Sequence, residues 1–222
     1  MLADMKAWKI FRGATALALL ATGLSGETLR LTAYERAQGW RLLFDGESLS
    51  DWRGYGERKV PANWSVADNR LNGSEGTALV GEQDYQDFEL SFDWKVKEGG
   101  LGEVYFHVNE DGKHPEETGP VMQLAGHGAS IGGNGGLSPF WREISPQWDT
   151  WYQAKIVVYG YQVEYWINGE KVMAYAINDK EWRAAVAESR YKAFRDYGLL
   201  RDGRMVLAGS GVTFRAIKVR PL

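Results

Sequence analysis

DFELSFDWKVK, residues 87–97, is the stretch that decides the fold. Phe88, Leu90, Phe92, Trp94 and Val96 occupy every second position, and Glu89, Ser91, Asp93, Lys95 and Lys97 occupy the rest. A period of two held this long puts one face in a core and the other toward water. Gly99, Gly100 and Gly102 then turn the chain into a second predicted strand near residues 103–109. There the alternation aims Val104, Phe106 and Val108 at the core and leaves Glu103, Tyr105 and His107 as an outward row.

Outward from this pair the same pattern repeats. Residues 151–159 and 162–167 read as neighbouring strands, and Asn168-Gly169 supplies the positive φ angles of a tight turn into residues 171–177. Asn178 or Asp179 caps a single helix through about Phe194, with Trp182, Val186 and Arg190 at helical spacing. Two short strands, 204–208 and 212–219, close the chain. With no repeat and no linker, the pattern predicts an all-β sandwich of two antiparallel sheets, one domain over residues 27–222, with one helix in its C-terminal half. Residues 111–148 read as a long glycine-rich loop, and a loop of this length in a compact domain is usually functional or disordered.

The 222 residues contain ten tryptophans and no cysteine, enough apolar mass for a core without disulfides. A net charge of −3 without a basic stripe excludes ordinary nucleic-acid binding. Lys6, Lys9 and Arg12 precede an apolar run over residues 14–24 and small residues at Gly23, Ser25 and Gly26. That order reads as a secretory signal over residues 1–26, too short to span a bilayer, and implies a periplasmic or secreted domain that leaves the membrane after cleavage. The run GGNGG (132–136) lacks the lysine and helix start of a nucleotide loop, and no serine sits in a nucleophile elbow, so no organic cofactor is expected.

Five stretches carry a resemblance: LTAYERAQGWRLLFDGESLSDWRGYG (31–56), DYQDFELSFDWKVKEGG (84–100), ETGPVMQ (117–123), VEYWINGEKV (163–172) and FRAIKVRPL (214–222). In this order and over nearly the whole mature chain, they resemble the 3-keto-disaccharide hydrolase domain family. The resemblance implies a concanavalin-like jelly roll and cleavage of the glycosidic bond in sugars oxidised at C3. The ketone acidifies the C2 hydrogen, a base removes it, the C1 substituent leaves, and water adds later. The family also implies a divalent metal as Lewis acid. The chain departs from the family pattern at Leu101, Gly102, Glu103 and His107, at Val121 and Ala125, and at Ala208, Gly209, Ser210 and Gly211. Those departures keep a second reading open, a non-catalytic carbohydrate-binding module on the same fold. A partner-binding scaffold is a third.

Glu103, Tyr105 and His107 form the first candidate constellation, because neighbours two apart on a strand lie ~7 Å apart on one face and can flank a sugar ring. His107 has the chemistry to take a proton from an acidified carbon. Glu103 and Glu117 join it as candidate acid–base groups. Glu117 with His114 and His127 offers carboxylate and imidazole for a zinc-like or manganese-like ion, though the spacing matches no metal signature and the ligand set stays open. Gln123 and His127 are candidates to hold sugar hydroxyls, and Trp141, in the loop, to stack on a sugar's C–H face.

Overall fold

The computed structural model describes residues 29–126 and 130–222, so the expected leader and His127 lie outside the described residues. Helix α1 (Ala33–Ala37) precedes strands β1 (Arg41–Leu42), β2 (Trp52–Gly54), β3 (Trp64–Ala67), β4 (Arg70–Gly73) and β5 (Leu79–Tyr85). Then follow β6 (Phe88–Val108), β7 (Val121–Ala125), β8 (Tyr152–Tyr159), β9 (Gln162–Ile167), β10 (Glu170–Ala176), helix α2 (Lys180–Glu188) and β11 (Gly203–Pro221). Among the described residues no helix is long and apolar enough to cross a membrane.

The strands expected at 87–97 and 103–109 are one strand, β6, and the two expected at the C-terminus are one strand, β11. Each is long enough to serve two layers. The first layer runs β10, β9, β8, the N-terminal half of β6, the C-terminal half of β11, β4 and β3, with β1 also against β11. The second runs β7, the C-terminal half of β6, the N-terminal half of β11, β5 and β2. Every pairing is antiparallel, as expected, and the two layers of the sandwich remain hydrogen-bonded to each other along β6 and β11.

Glycine permits that fold line. Gly99 has φ +71° and Gly209 φ +150°, backbone states that L side chains rarely adopt. A Cβ on Gly209 would also lie 3.1 Å from the Gly102 Cα, across the crease.

The alternation of residues 88–96 holds. Phe88, Leu90, Phe92, Trp94 and Val96 are buried, and Phe88 meets Phe106 of the second layer edge-to-face at 5.9 Å. Each such burial contributes roughly 1.5–3 kcal/mol relative to exposure. On the other face Glu89 pairs with Arg220, Asp93 with Arg215 and Lys95 with Asp149. These partly exposed pairs contribute about 1 kcal/mol or less each and chiefly fix register.

Asn168 (φ +50°) and Gly169 (φ +80°) make the tight turn between β9 and β10. Asp179 caps α2, its side chain accepting from the Trp182 N–H at 2.7 Å. The helix expected through Phe194 stops at Glu188, because the Ser189 hydroxyl accepts from the Tyr191 N–H and starts a separate 3-10 turn, Arg190–Ala193. Arg190 therefore leaves the face that holds Trp182. Tyr175, Trp182, Tyr197 and Tyr191 stack in succession, with centroids 4.1–5.8 Å apart, and seat this turn against the sandwich.

Residues 111–148 are not one loop. They contain β7 and a 3-10 turn, Pro115–Glu117. Asn134, nearly fully buried, braces the glycine run by accepting from the N–H groups of Leu137 and Ser138.

Candidate functional site

The second layer's outer face is built in rows set by strand register. Arg53, Val80, Val206, Tyr105 and Val121 lie across β2, β5, β11, β6 and β7. The next outward row places Ala208 beside Glu103 and Glu103 beside Gln123. The intervening row, Leu79, Leu207, Val104 and Met122, faces the core. Alternation thus delivers Glu103 and Tyr105 to one surface, as the sequence leads one to expect, and β7, formed where a loop is expected, adds Gln123 to it.

His107 does not join them. Between Tyr105 and Val108 of β6 lie two residues, whereas β11 has only Met205 between their partners Val206 and Arg204. The extra residue is a bulge, taken up with His107 at φ +50°. A bulge flips the alternation, so Val108, expected in the core, packs with Tyr105, Val80, Val121 and Val206 on the outer face. His107 turns inward, 2% exposed, with its ring edge-on to Phe88 and Phe106 and Nε2 donating to the Gln86 carbonyl at 2.8 Å. Burial holds its imidazole below the ordinary histidine value, with Arg201 adding to that effect, so it is neutral near pH 7.

Two further expectations are corrected. Glu117 is turned to its own loop: its Oε1 accepts from the backbone N–H groups of Lys113 and His114 at 2.8 and 3.0 Å. Trp141 belongs to the other layer. Its N–H bonds to the Val172 carbonyl at the β10 edge, and its ring lies 5.2 Å from the Lys171 ammonium, which also covers Trp166. Lys155, Trp166 and Lys171 share one row of that layer's outer face, so Trp141 has no part in the Glu103 surface.

Around Glu103 the geometry is specific. The Tyr105 hydroxyl donates to Glu103 Oε2 at 2.7 Å, and both residues are less than one-tenth exposed. Burial, followed by the Glu103 charge, pushes the Tyr105 phenol far above its ordinary value, so the tyrosine stays protonated and holds the carboxylate as a donor. The Gln123 side-chain oxygen accepts from the Gly135 N–H at 3.2 Å, which ties the glycine run to this surface.

Each rim is walled. From β2, Arg53 reaches over β5 and β11 to a two-pronged ion pair with Glu110, and Tyr55 spans the same gap to the carbonyls of Asn109 and Gly112 at 3.2 Å. Tyr55 packs against the cluster that holds Val80 and Val206, both fully buried. Burial, with Glu110, Glu117 and Asp111 nearby, pushes the Tyr55 phenol up to about 12. Arg204 joins the wall through Glu82, Asp84 and Glu110, beside a pocket of about 380 Å³.

At the β7 rim stand residues that sequence reasoning missed. Arg190 Nη2 lies 3.0 Å from Glu116 Oε2 and donates to the Tyr191 hydroxyl at 3.1 Å. Tyr191 packs against Gly135, where a Cβ would lie 2.8 Å from its ring. Spacing had placed Arg190 on a helix face, and only the break at Ser189 gives it away. Among the described residues no three His, Asp or Glu side chains come together to hold an ion, and Glu117 is bound to backbone.

Comparison with known proteins extends this description. The 3-keto-alpha-glucoside-1,2-lyase-like domain matches residues 39–220. A protein named 3-keto-disaccharide hydrolase from Bacteroides thetaiotaomicron is 27% identical in a match over 187 residues that covers 70% of this chain and 64% of that protein. The chain thus spans a little under two-thirds of that relative's length. A candidate glycosyl hydrolase from Parabacteroides distasonis superposes with a TM-score of 0.80 at 25% identity, over 88% of this chain and all of that one. The carbohydrate-binding module CBM66 from Bacillus subtilis shares the fold at a TM-score of 0.52 and 14% identity, covering 76% of this chain and 94% of the module.

Proposed function

The chain belongs to the 3-keto-alpha-glucoside-1,2-lyase-like domain family, and from that membership we propose that it is an exported enzyme cleaving glycosides oxidised at C3, with the sugar bound over Glu103. The observation that carries this reading is the Glu103 carboxylate held by Tyr105 at 2.7 Å on the same outer face as Gln123. A carbanion-forming reaction needs a positioned base, and a carboxylate fixed by a protonated phenol is one.

In this reaction Glu103 takes the C2 proton, the C1–O bond breaks, and a double bond forms between C1 and C2. The proton on Glu103 is then available to the departing oxygen. Addition of water across C1 and C2 gives the free 3-keto sugar. Gln123 donates to a sugar hydroxyl through its amide NH2, and the Tyr55–Arg53 wall limits how far the sugar extends toward β2.

A specific observation favours the binding-module reading as a rival. Of the three expected acid–base residues, His107 is sealed in the core and Glu117 is bound to its own loop. Incubation of the purified protein with 3-keto-trehalose and with trehalose decides between them. The enzyme reading requires release of 3-keto-glucose from the oxidised sugar alone. Saturable binding with turnover at background would favour the module.

A further inference from the structure

We propose that the guanidinium of Arg190 is the electrophilic group of this site, receiving the 3-keto oxygen of the substrate and the negative charge that develops on it. The proposal rests on the reading that a 3-keto glycoside lies over Glu103. Removing a proton from C2 sends its electron pair through the carbonyl to the C3 oxygen, and that charge needs a partner. A divalent ion would supply one, yet no cluster of donor side chains exists for it among the described residues.

Arg190 fits by position and by what it leaves available. Glu103 stands beside Gln123 in register, Gln123 accepts from the Gly135 N–H, Gly135 abuts the Tyr191 ring, and the Tyr191 hydroxyl accepts from Arg190. This chain of contacts links a cation at the β7 rim to the carboxylate. Its bonds to Glu116 and Tyr191 both use Nη2. A guanidinium has five N–H donors in a fixed fork, so among the described residues those two bonds leave Nη1 and Nε for a ligand. Tyr191 is fully buried whereas the Arg190 side chain is 55% exposed, an arrangement that anchors the base of the fork and presents its tip. Arg190 also lies over the Tyr191 ring at 4.9 Å, which fixes the plane of the fork.

The step balances without an added reactant. The C2–H bond breaks and its proton goes to Glu103; its electron pair forms the C2–C3 double bond as the C3 carbonyl becomes an enolate held by Arg190. When the carbonyl re-forms, the C2–C3 pair shifts to make the C1–C2 double bond and the C1–O bond breaks. The leaving oxygen takes the proton that Glu103 carries.

Arg190→Ala and Arg190→Lys are assayed on 3-keto-trehalose beside wild-type protein, with and without added guanidinium ion and after dialysis against EDTA. Loss of one oxyanion donor costs about 10²–10³ in kcat. The expected result is that loss for Arg190→Ala, a KM changed far less, partial rescue by guanidinium, and EDTA-treated wild-type turnover within about twofold of untreated, a margin well inside the loss of one such donor. Rescue separates a chemical role from a structural one, because free guanidinium does not rebuild a packed turn. Wild-type turnover with Arg190→Ala within about threefold of it, again short of one donor's worth, overturns this inference alone. So does an EDTA-abolished activity that Mn²⁺ restores. Absence of turnover in wild-type protein overturns both this inference and the reading beneath it.

Discussion

Gly135→Ala, set against Gly136→Ala, measures how firmly the glycine run is keyed to the site. Both glycines have positive φ, +74° and +82°, so alanine at either position carries the left-handed penalty of about 1–2 kcal/mol. Their surroundings differ. A Cβ on Gly136 meets nothing within 4 Å, whereas one on Gly135 lies 2.8 Å from two ring atoms of Tyr191 and closer still to its hydroxyl. Tyr191 is fully buried and stacked on Tyr197 at 4.1 Å, so it cannot swing aside. Overpacking of that kind costs about 1–3 kcal/mol more. For a domain of this size each kcal/mol shifts Tm by about 2–4 °C. Gly136→Ala is thus expected to melt about 2–8 °C below wild type, and Gly135→Ala about 2–12 °C below that again. Gly135→Ala also displaces the N–H that holds Gln123, so KM for the oxidised sugar rises. Thermal melts of both variants followed by circular dichroism decide the matter. Equal melting temperatures would show that Tyr191 is not where this reasoning needs it.

Further outcomes follow from the same contacts. His107 is held neutral, with its folded pKa below the unfolded value near 6.5, so the unfolded chain gains a proton first as pH falls. Stability should decline below about pH 6.5, by at most about 1.4 kcal/mol per pH unit from this group, and His107→Gln should flatten that slope in melts at pH 5–7. Glu110 has its pKa lowered chiefly by its bond to Arg53, so its contribution is present above about pH 4.5 and lost as pH falls through the lowered value. Glu110→Gln should lower Tm at pH 7 and reduce the acid sensitivity below pH 4.5. Trp141→Ala should leave KM for the oxidised sugar within about twofold, since its ring sits on the other layer and carries no stacking contact to lose there. A tenfold rise would return Trp141 to the site.

Legibility tracked how local the cause was. The buried row from Phe88 to Val96 was readable because alternation needs no knowledge of partners, and Asn168-Gly169 and Asp179 were readable because a turn and a cap are properties of a few neighbouring residues. The same rule placed Glu103 and Tyr105 on one face, then failed two residues later. The bulge at His107 arises from a mismatch with β11, which lies about a hundred positions on, and no local pattern announces it. The continuity of the two layers was hidden for the same reason, since glycines that bend a strand look like glycines that end one. Arg190 was misplaced by assuming that Trp182, Val186 and Arg190 belong to one helix. Ser189 was the readable signal, a strong capping residue inside the expected helix. Glu117 and Trp141 point to the site by residue type and by their place in or beside the glycine-rich loop, and their true positions depend on which backbone groups need partners.

Glu103 as the base that removes the C2 proton is tested most directly by kcat of Glu103→Gln on a 3-keto glycoside. The expected result is a fall of about 10²–10⁴ with KM little changed, because glutamine preserves shape and the bond from Tyr105 while removing the base. A Glu103→Gln protein that turns over at the wild-type rate would contradict it.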